Sequence, residues 1–236
     1  MATQAARRAS AVVVPTLAVR EALHEVLDVG VPVTVIGEGI APALRPPRDA
    51  QERAERLELP ESYILFSGTP EPRKGLDTLM SALRRSEAPE VPLLLTGGAG
   101  WGGVDAVLDR DAQSLGPGRV RRLGRLSDQD LAVVMSRATV LAVPSRAEGF
   151  GLPVIEAQSL GTAVVCSDSP ALVEVAGGAA RVVPRGDDAA LARALSDVVG
   201  SERQRSALVR EGRKNALRFS WDLAARRLWA LYRSLS

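Results

Sequence analysis

Short apolar runs rich in β-branched residues alternate with helical patterns along this chain, and this alternation constrains the fold most strongly. The runs lack the polar–apolar alternation of a half-exposed sheet, so both sheet faces are expected to be covered. The predicted strands are Ala11–Val14, Val33–Ile36, Tyr63–Phe66, Pro92–Thr96, Val120–Leu123, Thr139–Val143, Thr162–Cys166 and Ala180–Val183. Strands that alternate with helices predict an α/β fold with a doubly wound, parallel, Rossmann-like sheet.

The segment APALRPPR at residues 41–48 interrupts the alternation. It is rich in proline and has no periodicity, so it predicts a linker, which we extend over residues 41–57. Residues 1–40 hold one strand–helix–strand unit, residues 58–219 a complete doubly wound domain, and residues 220–236 a terminal helix. A single strand–helix–strand unit cannot cover its own sheet, so we expect it to dock on another domain or to be the end of one.

The scarcity of histidine and cysteine excludes several kinds of site. One His, His24, and one Cys, Cys166, cannot build a disulfide framework or a Cys/His zinc site within one chain. His24 falls on the polar face of a helix predicted over residues 17–27, so we expect it to be exposed and without a chemical role. Cys166 ends a strand and is expected to be a small core residue.

The basic character of the chain is concentrated at its end. The net charge is +2 and the pI is about 9.1, and residues 202–236 hold nine basic and three acidic residues. Three Phe, two Tyr and three Trp are too few for a base-stacking surface. This pattern favours a solvated helical face over nucleic-acid binding. No apolar run is long enough to span a membrane, so we expect a cytoplasmic protein, with peripheral contact at the inner face of the membrane left open.

The first segment that could form a functional site is the loop Ser67–Gly75, which follows a predicted strand and precedes a helix. In open parallel sheets, ligands bind at the carboxyl ends of the strands, where this loop lies. Gly68 lets a ligand approach the backbone, and Arg73 and Lys74 offer adjacent cations for a phosphate. Its glycine spacing matches neither a Walker A loop nor a dinucleotide fingerprint, and a plain exposed turn is the alternative interpretation.

The second stretch runs from Glu148 to Glu156 and follows another strand. Gly149 and Gly151 precede a helix, so backbone N–H groups and the helix dipole would attract an anion such as a diphosphate. The two carboxylates would repel phosphate but are natural acceptors for vicinal hydroxyls. The pattern therefore suits a sugar on one side of a diphosphate and a ribose on the other. The alternative interpretation is that Glu148 is an ordinary acidic residue of a loop and Glu156 an ordinary acidic residue in the first turn of a helix.

Two further segments are weaker candidates for a functional site. Five glycines in residues 96–103 follow a strand and predict a surface loop. Asp109-Arg110-Asp111 resembles an Asp-x-Asp metal motif but lies inside a helical pattern, so we expect no metal site there.

The second stretch resembles the glutamate–seven-residue–glutamate motif of retaining GT-B glycosyltransferases of family 4, the glycosyltransferases group 1 family. The resemblance covers nearly the whole chain, and its EGFGLPVIE core is highly specific. The resembling segments are VTVIGEGI at 33–40, GTPEPRKGLDTL at 68–79, LLLTGGAGWG at 93–102, VRRLGRLSDQDL at 120–131, VPSRAEGFGLPVIEAQSLGTAVVCSD at 143–168, PALVEVAGGAARVVP at 170–184 and the terminal FSWDLAARRLWALYR.

This resemblance implies a role for each matching residue. Glu148 would bind hydroxyls of the donor sugar, and Glu156 would bind those of the ribose. Arg73 and Lys74 would stabilise the departing diphosphate. The remaining donor-binding residues implied are the loop glycine Gly68, the backbone of Gly149, Phe150 and Gly151, the adjoining Leu152, and Leu123 and Leu126 near the base.

The resemblance implies transfer of a hexose from a GDP- or UDP-hexose with retention of configuration, in a polysaccharide pathway and without a metal or other cofactor. GTPEPRKG is most similar to mannosyltransferases. Thr69 stands where some members carry arginine, which leaves the phosphate contacts to Arg73 and Lys74. The chain resembles the C-terminal, donor-binding half of the fold, so its expected partner is a missing or separately encoded N-terminal domain. The alternative is a non-catalytic nucleotide-sugar-binding subunit of a split enzyme.

Overall fold

The computed structural model describes residues 8–101 and 103–235, without the side chains of Val104, Ala106 and Val107. Residues 1–7, Gly102 and Ser236 lie outside the described part.

All eight predicted strands form, and they build two parallel sheets. The strands are β1 (Val12–Val14), β2 (Val33–Val35), β3 (Ile64–Ser67), β4 (Leu93–Thr96), β5 (Val120–Gly124), β6 (Val140–Val143), β7 (Ala163–Ser167) and β8 (Arg181–Val183). Strands β1 and β2 pair with each other, and the other six form one sheet in the order β5-β4-β3-β6-β7-β8. The predicted doubly wound α/β class is confirmed.

Helices connect the strands, as the periodicity predicts. The helices are α1 (Leu17–Val26), α2 (Ala50–Arg56), α3 (Leu76–Leu83), α4 (Val104–Leu115), α5 (Asp128–Arg137), α6 (Leu152–Leu160), α7 (Pro170–Ala176), α8 (Asp188–Gly200), α9 (Glu202–Ala216) and α10 (Trp221–Leu235). A 3₁₀ turn at Pro72–Lys74 precedes α3. Ser127 caps α5, since its side chain accepts a hydrogen bond from the N–H of Asp130.

The large sheet reverses its winding direction between β3 and β6. From β3 the chain builds outward through β4 and β5, then returns to place β6 on the other side of β3. Loops that follow two neighbouring strands at such a reversal diverge and leave a crevice at the carboxyl edge. The crevice lies between the loops that follow β3 and β6.

Two apolar clusters cover the two faces of the large sheet. Successive strand side chains point to opposite faces, so Ile64 and Phe66 join one cluster and Leu65 joins the other. The first cluster is completed mainly by α3 and α8, and the second by α5, α6 and α7. This double cover explains why the strands are apolar without alternation. Cys166 is buried in the second cluster, as expected.

The β1–α1–β2 unit docks on the large domain through polar contacts. The backbone N–H groups of Leu17 and Ala18, at the start of α1, donate to the carboxylate of Glu174 at 2.9 and 3.0 Å. Thr16 Oγ1 donates to the carbonyl oxygen of Gly149 at 3.0 Å. The unit is therefore fixed beside the loop that follows β6.

The exposed surfaces of this unit and of the last helix are unusually apolar. Helix α1 buries none of its residues, and Val26 on its predicted apolar face is 74% exposed. Helix α10 also buries no described residue, and Trp229 is 67% exposed. His24 is exposed, as expected. The apolar stripes of these two helices comprise Val19, Ala22, Leu23 and Val26 on α1 and Trp221, Ala225, Leu228, Tyr232 and Leu235 on α10, and the described residues fully bury none of them.

The predicted linker contains a helix that the sequence pattern did not reveal. Residues 50–56 form α2, and Arg53 and Arg56 donate to Asp130 Oδ1 at 2.8 and 2.7 Å. Ala54 is the one buried residue of this helix, so its attachment depends on charge more than on an apolar stripe. Within the described residues, no helix is both long and apolar enough to cross a membrane.

Candidate active site

The loops after β3 and β6 meet at the winding reversal. The backbone N–H of Arg146 donates to the carbonyl oxygen of Arg73 at 2.7 Å. Gly75 adopts a left-handed conformation with φ of +66°, and a Cβ there would overlap the carbonyl oxygen of Pro144. Gly75 is therefore needed both for its turn and for the close approach of the two loops.

The carboxylate of Glu148 lies at the centre of a cluster of charges. Lys74 Nζ is 2.6 Å from Oε1 of Glu148, and Arg73 Nη1 is 2.7 Å from Oε2. The hydroxyl of Ser145 donates to Oε1 at 2.8 Å. Glu71 binds the other side of the Arg73 guanidinium at 2.6 Å. The family resemblance assigns Arg73, Lys74 and Glu148 to one donor site, and the structure adds these direct pairs between them.

The environment of Glu148 keeps it ionised. Its side chain is 6% exposed, and this burial opposes ionisation. The hydrogen bond and charge of Lys74, with hydrogen bonds from Ser145 and Arg73, outweigh the burial and lower the pKa of Glu148 below its ordinary value. Ser145 is fully buried. No apolar or charge pattern in the sequence predicted that its hydroxyl would contact Glu148.

The glycines after Glu148 present backbone rather than side chains. A Cβ at Gly149 would meet nothing within 4 Å, so the backbone there is open to a ligand. Gly151 has a φ of +105° and caps α6, whose first turn begins with Leu152. The ring of Phe150 instead packs edge-on against Phe219 at 5.7 Å. The N-terminus of α6 lies beside this open backbone. In its first turn Pro153 has no N–H and the N–H of Val154 donates to the carbonyl oxygen of Gly151 at 2.9 Å, so the N–H of Leu152 is the one left for an anion.

Glu156 lies one turn into α6, and no described cation forms an ion pair with it or lowers its pKa. Burial, helped by the charge of Asp128, raises the pKa of Glu156 to about 7. Glu148 and Glu156 thus differ in ionisation because, among the described residues, basic side chains pair with Glu148 and none pairs with Glu156.

These residues line one cleft with a volume of about 640 Å³. It brings together eight predicted site residues: Arg73, Lys74, Glu148, Gly149, Phe150, Gly151, Leu152 and Glu156. The β1–α1–β2 unit adds Pro15 and Glu38, which sequence analysis missed. Glu38 lies between two glycines in VTVIGEGI, and that placement was the available signal.

The other three predicted residues lie elsewhere. Gly68 and Leu126 line a second cavity of about 380 Å³, together with Thr69 and Arg125. Leu123 lines neither cavity and packs against the apolar cluster under α5 and α6. The role of each predicted residue in ligand binding stays a prediction.

The weaker candidates have structural explanations. Within the glycine-rich loop, Gly97 packs against the backbone of Gly68, so this loop borders the second cavity. Asp109 and Asp111 lie in α4 and pair with Arg122 and Arg84 at 2.9 and 3.0 Å. Among the described residues, no group of three or more His, Cys, Asp or Glu side chains is arranged to hold a metal ion.

Comparison with known proteins identifies the family. The sequence profile described as "Glycosyl transferases group 1" matches residues 47–215. The chain is 34% identical over 165 residues to the O-antigen chain mannosyltransferase B of Escherichia coli, covering 69% of this chain and 43% of that protein. It is 33% identical over 179 residues to the phosphatidyl-myo-inositol mannosyltransferase of Mycolicibacterium smegmatis, covering 73% and 45%. The matched region spans less than half the length of these relatives.

A solved structure matches almost the entire chain. The sucrose-phosphate synthase of Thermosynechococcus elongatus superposes with a TM-score of 0.85 at 29% identity, covering 99% of this chain and 60% of that one. Because the family profile matches more than half of the chain and the solved structure superposes on nearly all of it, the chain belongs to the glycosyl transferases group 1 family and has the fold of its GT-B members.

Proposed function

We propose that this chain is the donor-binding half of a retaining hexosyltransferase and that it binds a nucleotide sugar in the cleft between the β3 and β6 loops. The observation that carries this proposal is the joining of Arg73, Lys74 and Glu148 at the winding reversal, beside the N-terminus of α6. Cations and open N–H groups bind a diphosphate, and carboxylates bind hydroxyls. A nucleotide sugar carries both a diphosphate and hydroxyl groups.

The two cations retain hydrogen-bonding capacity for a diphosphate without releasing Glu148. Arg73 has five N–H donors, of which Glu148, Ala147 and Glu71 engage three, which leaves two. Lys74 has three donors and uses one on Glu148, which leaves two. Arg73 is also 47% exposed, so its free N–H groups are accessible from the cleft.

In the proposed reaction, the oxygen of an acceptor hydroxyl forms a bond to the hexose C1 while the bond between C1 and the diphosphate breaks. Negative charge grows on the departing phosphate oxygen, which takes up the proton of the acceptor hydroxyl. Arg73, Lys74 and the N-terminus of α6 would stabilise that charge, which lowers the barrier. Glu148 would hold the two cations in place and accept a hydrogen bond from a sugar hydroxyl. Glu156 would accept from the ribose, and the cavity lined by Gly68 and Leu126 would hold the base. Mannose is the favoured sugar because two relatives are named mannosyltransferases.

The acceptor side of the reaction would come from an N-terminal domain outside this chain. Within the described residues, β1 and β2 pair only with each other, and α1 and α10 expose the apolar stripes described above. Such surfaces suit an additional α/β domain that continues the small sheet. If that domain is a separate subunit, the chain by itself binds the donor without turnover. Transfer activity of the purified chain alone would exclude this second candidate.

Thermal-shift measurements with nucleotides and nucleotide sugars test the proposed function. The panel contains GDP, UDP, ADP, GDP-mannose, UDP-glucose and UDP-N-acetylglucosamine, each with and without EDTA. A ligand that binds only the folded state raises the melting temperature in proportion to the logarithm of its concentration over Kd. We expect one base to be favoured and the shift to be unchanged by EDTA.

Free mannose and inorganic phosphate serve as controls, because each offers only part of the proposed ligand. Stabilisation by a nucleotide sugar above that of both fragments supports the proposal. A flat response to the complete panel contradicts it.

A further inference from the structure

Glu38 is the carboxylate that the β1–α1–β2 unit brings to the cleft. Pro15 and Glu38 are the two cleft residues from this unit, whereas Arg73, Lys74 and Glu148 belong to the large domain. A ligand that fills the cleft therefore contacts both units. Glu38 follows β2 and is half-buried.

The backbone on either side of Glu38 is held in place by packing. A Cβ at Gly39 would overlap the backbone of Ser220 and Trp221, at the start of α10. A Cβ at Gly37 would touch the ring of Phe150 at 3.5 Å. The segment therefore packs between the last helix and the loop after β6. This packing fixes the position of the Glu38 backbone.

The carboxylate of Glu38 has no hydrogen bond or ion pair with any described residue. Glu148 is bound by two cations and Ser145, whereas burial without a partner raises the pKa of Glu38 above its ordinary value. Arg218 and Arg227 line an adjoining cavity of about 320 Å³ that Glu38 also borders, yet neither pairs with it. An unpartnered carboxylate at a cleft is available to accept hydrogen bonds from a ligand.

We propose that Glu38 binds hydroxyl groups of the donor hexose and thereby helps to select the sugar. This inference rests on the proposed nucleotide-sugar function. A carboxylate repels a diphosphate but accepts hydrogen bonds from sugar hydroxyls, so Glu38 suits the hexose end of the ligand. With Glu148 in one domain and Glu38 in the docked unit, the hexose would be held by carboxylates from both.

The test compares a nucleotide sugar with the nucleoside diphosphate that lacks the sugar. Isothermal titration calorimetry gives the Kd values of GDP-mannose and GDP, or of UDP-glucose and UDP, for the wild type and for Glu38→Gln. We expect the ratio of the nucleotide-sugar Kd to the nucleoside-diphosphate Kd to rise about tenfold in Glu38→Gln, the effect of losing a hydrogen bond to a charged group. Glu25→Gln, an exposed carboxylate of α1 outside the cleft, removes the same charge as a control.

An unchanged ratio in Glu38→Gln would overturn the inference, because the loss of a contact to the hexose must weaken binding of the nucleotide sugar more than binding of the nucleoside diphosphate. A ratio that changes equally in Glu25→Gln would overturn it as well. If the wild type binds neither ligand pair, the proposed function itself fails. If the wild type binds and the ratio is unchanged, only the role of Glu38 fails.

Discussion

Glu148 and Glu156 have seven residues between them in the sequence, but they differ in ionisation because of their partners. Lys74 and Arg73 stabilise the charged form of Glu148, whereas Glu156 is buried near Asp128 without a cation. A carboxyl with a pKa of about 7 is neutral in half of the molecules at neutral pH. Ribose hydroxyls that donate to Glu156 would favour its charged form.

This difference predicts a pH dependence of donor binding. If the ligand binds the molecules in which Glu156 is ionised, the ionised fraction falls as pH decreases through 7, and the apparent Kd rises accordingly. We expect the Kd of the nucleotide sugar to be about tenfold higher at pH 6 than at pH 8. Calorimetric titrations at both pH values measure this ratio.

Glu156→Gln provides the control, since it cannot ionise. Its affinity should be low and nearly independent of pH over the same range. A wild-type Kd that is equal at pH 6 and pH 8, or lower at pH 6, would contradict the assignment of Glu156 to the ribose.

At the residue scale, the sequence predicted the kind of ligand that the site would bind better than it predicted which side chains contact each other. The types and spacing of Arg73, Lys74 and Glu148 indicated a phosphate and sugar site, and the structure places them together. The partners Glu71 and Ser145 were not predicted, because their positions depend on how two loops distant in sequence approach each other.

At the scale of elements, the apolar runs predicted every strand to within one or two residues, because strands covered on both faces leave an unambiguous pattern. Helix α2 escaped prediction because it is attached by Arg53 and Arg56 rather than by an apolar stripe. Helix α1 has an apolar stripe that could cover another surface, but the described residues fully bury none of it. Periodicity reports what a helix can bury and does not reveal what covers it.

Gly75 holds the two site-forming loops together, and its substitution should show this. In Gly75→Ala, the left-handed φ and the overlap with Pro144 force the loops apart. We expect a loss of about 1–3 kcal/mol in the free energy of unfolding, measured by chemical denaturation, and a weaker affinity for the nucleotide sugar.

Gly118→Ala is the matched control. Gly118 has a φ of +76°, close to that of Gly75, but a Cβ there meets nothing within 4 Å. It should lose stability through backbone strain alone and keep its ligand affinity. Equal stability and equal affinity in the two variants would contradict a special role for the contact with Pro144.

At the scale of the whole molecule, the cleft is shared between the large domain and the β1–α1–β2 unit. The unit is anchored by Glu174, which accepts two N–H groups at the start of α1, and by Thr16 on Gly149. A carboxylate at a helix N-terminus is favoured both by these hydrogen bonds and by the helix dipole. The position of Glu38 in the cleft therefore depends on this docking.

Glu174→Gln should loosen the docked unit. We expect faster amide hydrogen exchange across residues 17–26 than in the wild type, because the start of α1 loses a charged acceptor. Glu21→Gln, exposed on the same helix, should leave exchange unchanged. Wild-type exchange rates in Glu174→Gln would show that Glu174 does not anchor the unit.

The most direct test of the site is calorimetric titration of the nucleotide sugar into the wild type, Arg73→Ala and Glu156→Ala. Arg185→Ala is the control. Arg185 follows β8, pairs with Asp168 and lies outside the cleft. Loss of one polar partner costs about 1–3 kcal/mol, so the Kd should rise about 5- to 150-fold in each cleft variant and remain unchanged in Arg185→Ala. Unchanged affinity in both Arg73→Ala and Glu156→Ala would contradict the placement of the donor between the β3 and β6 loops.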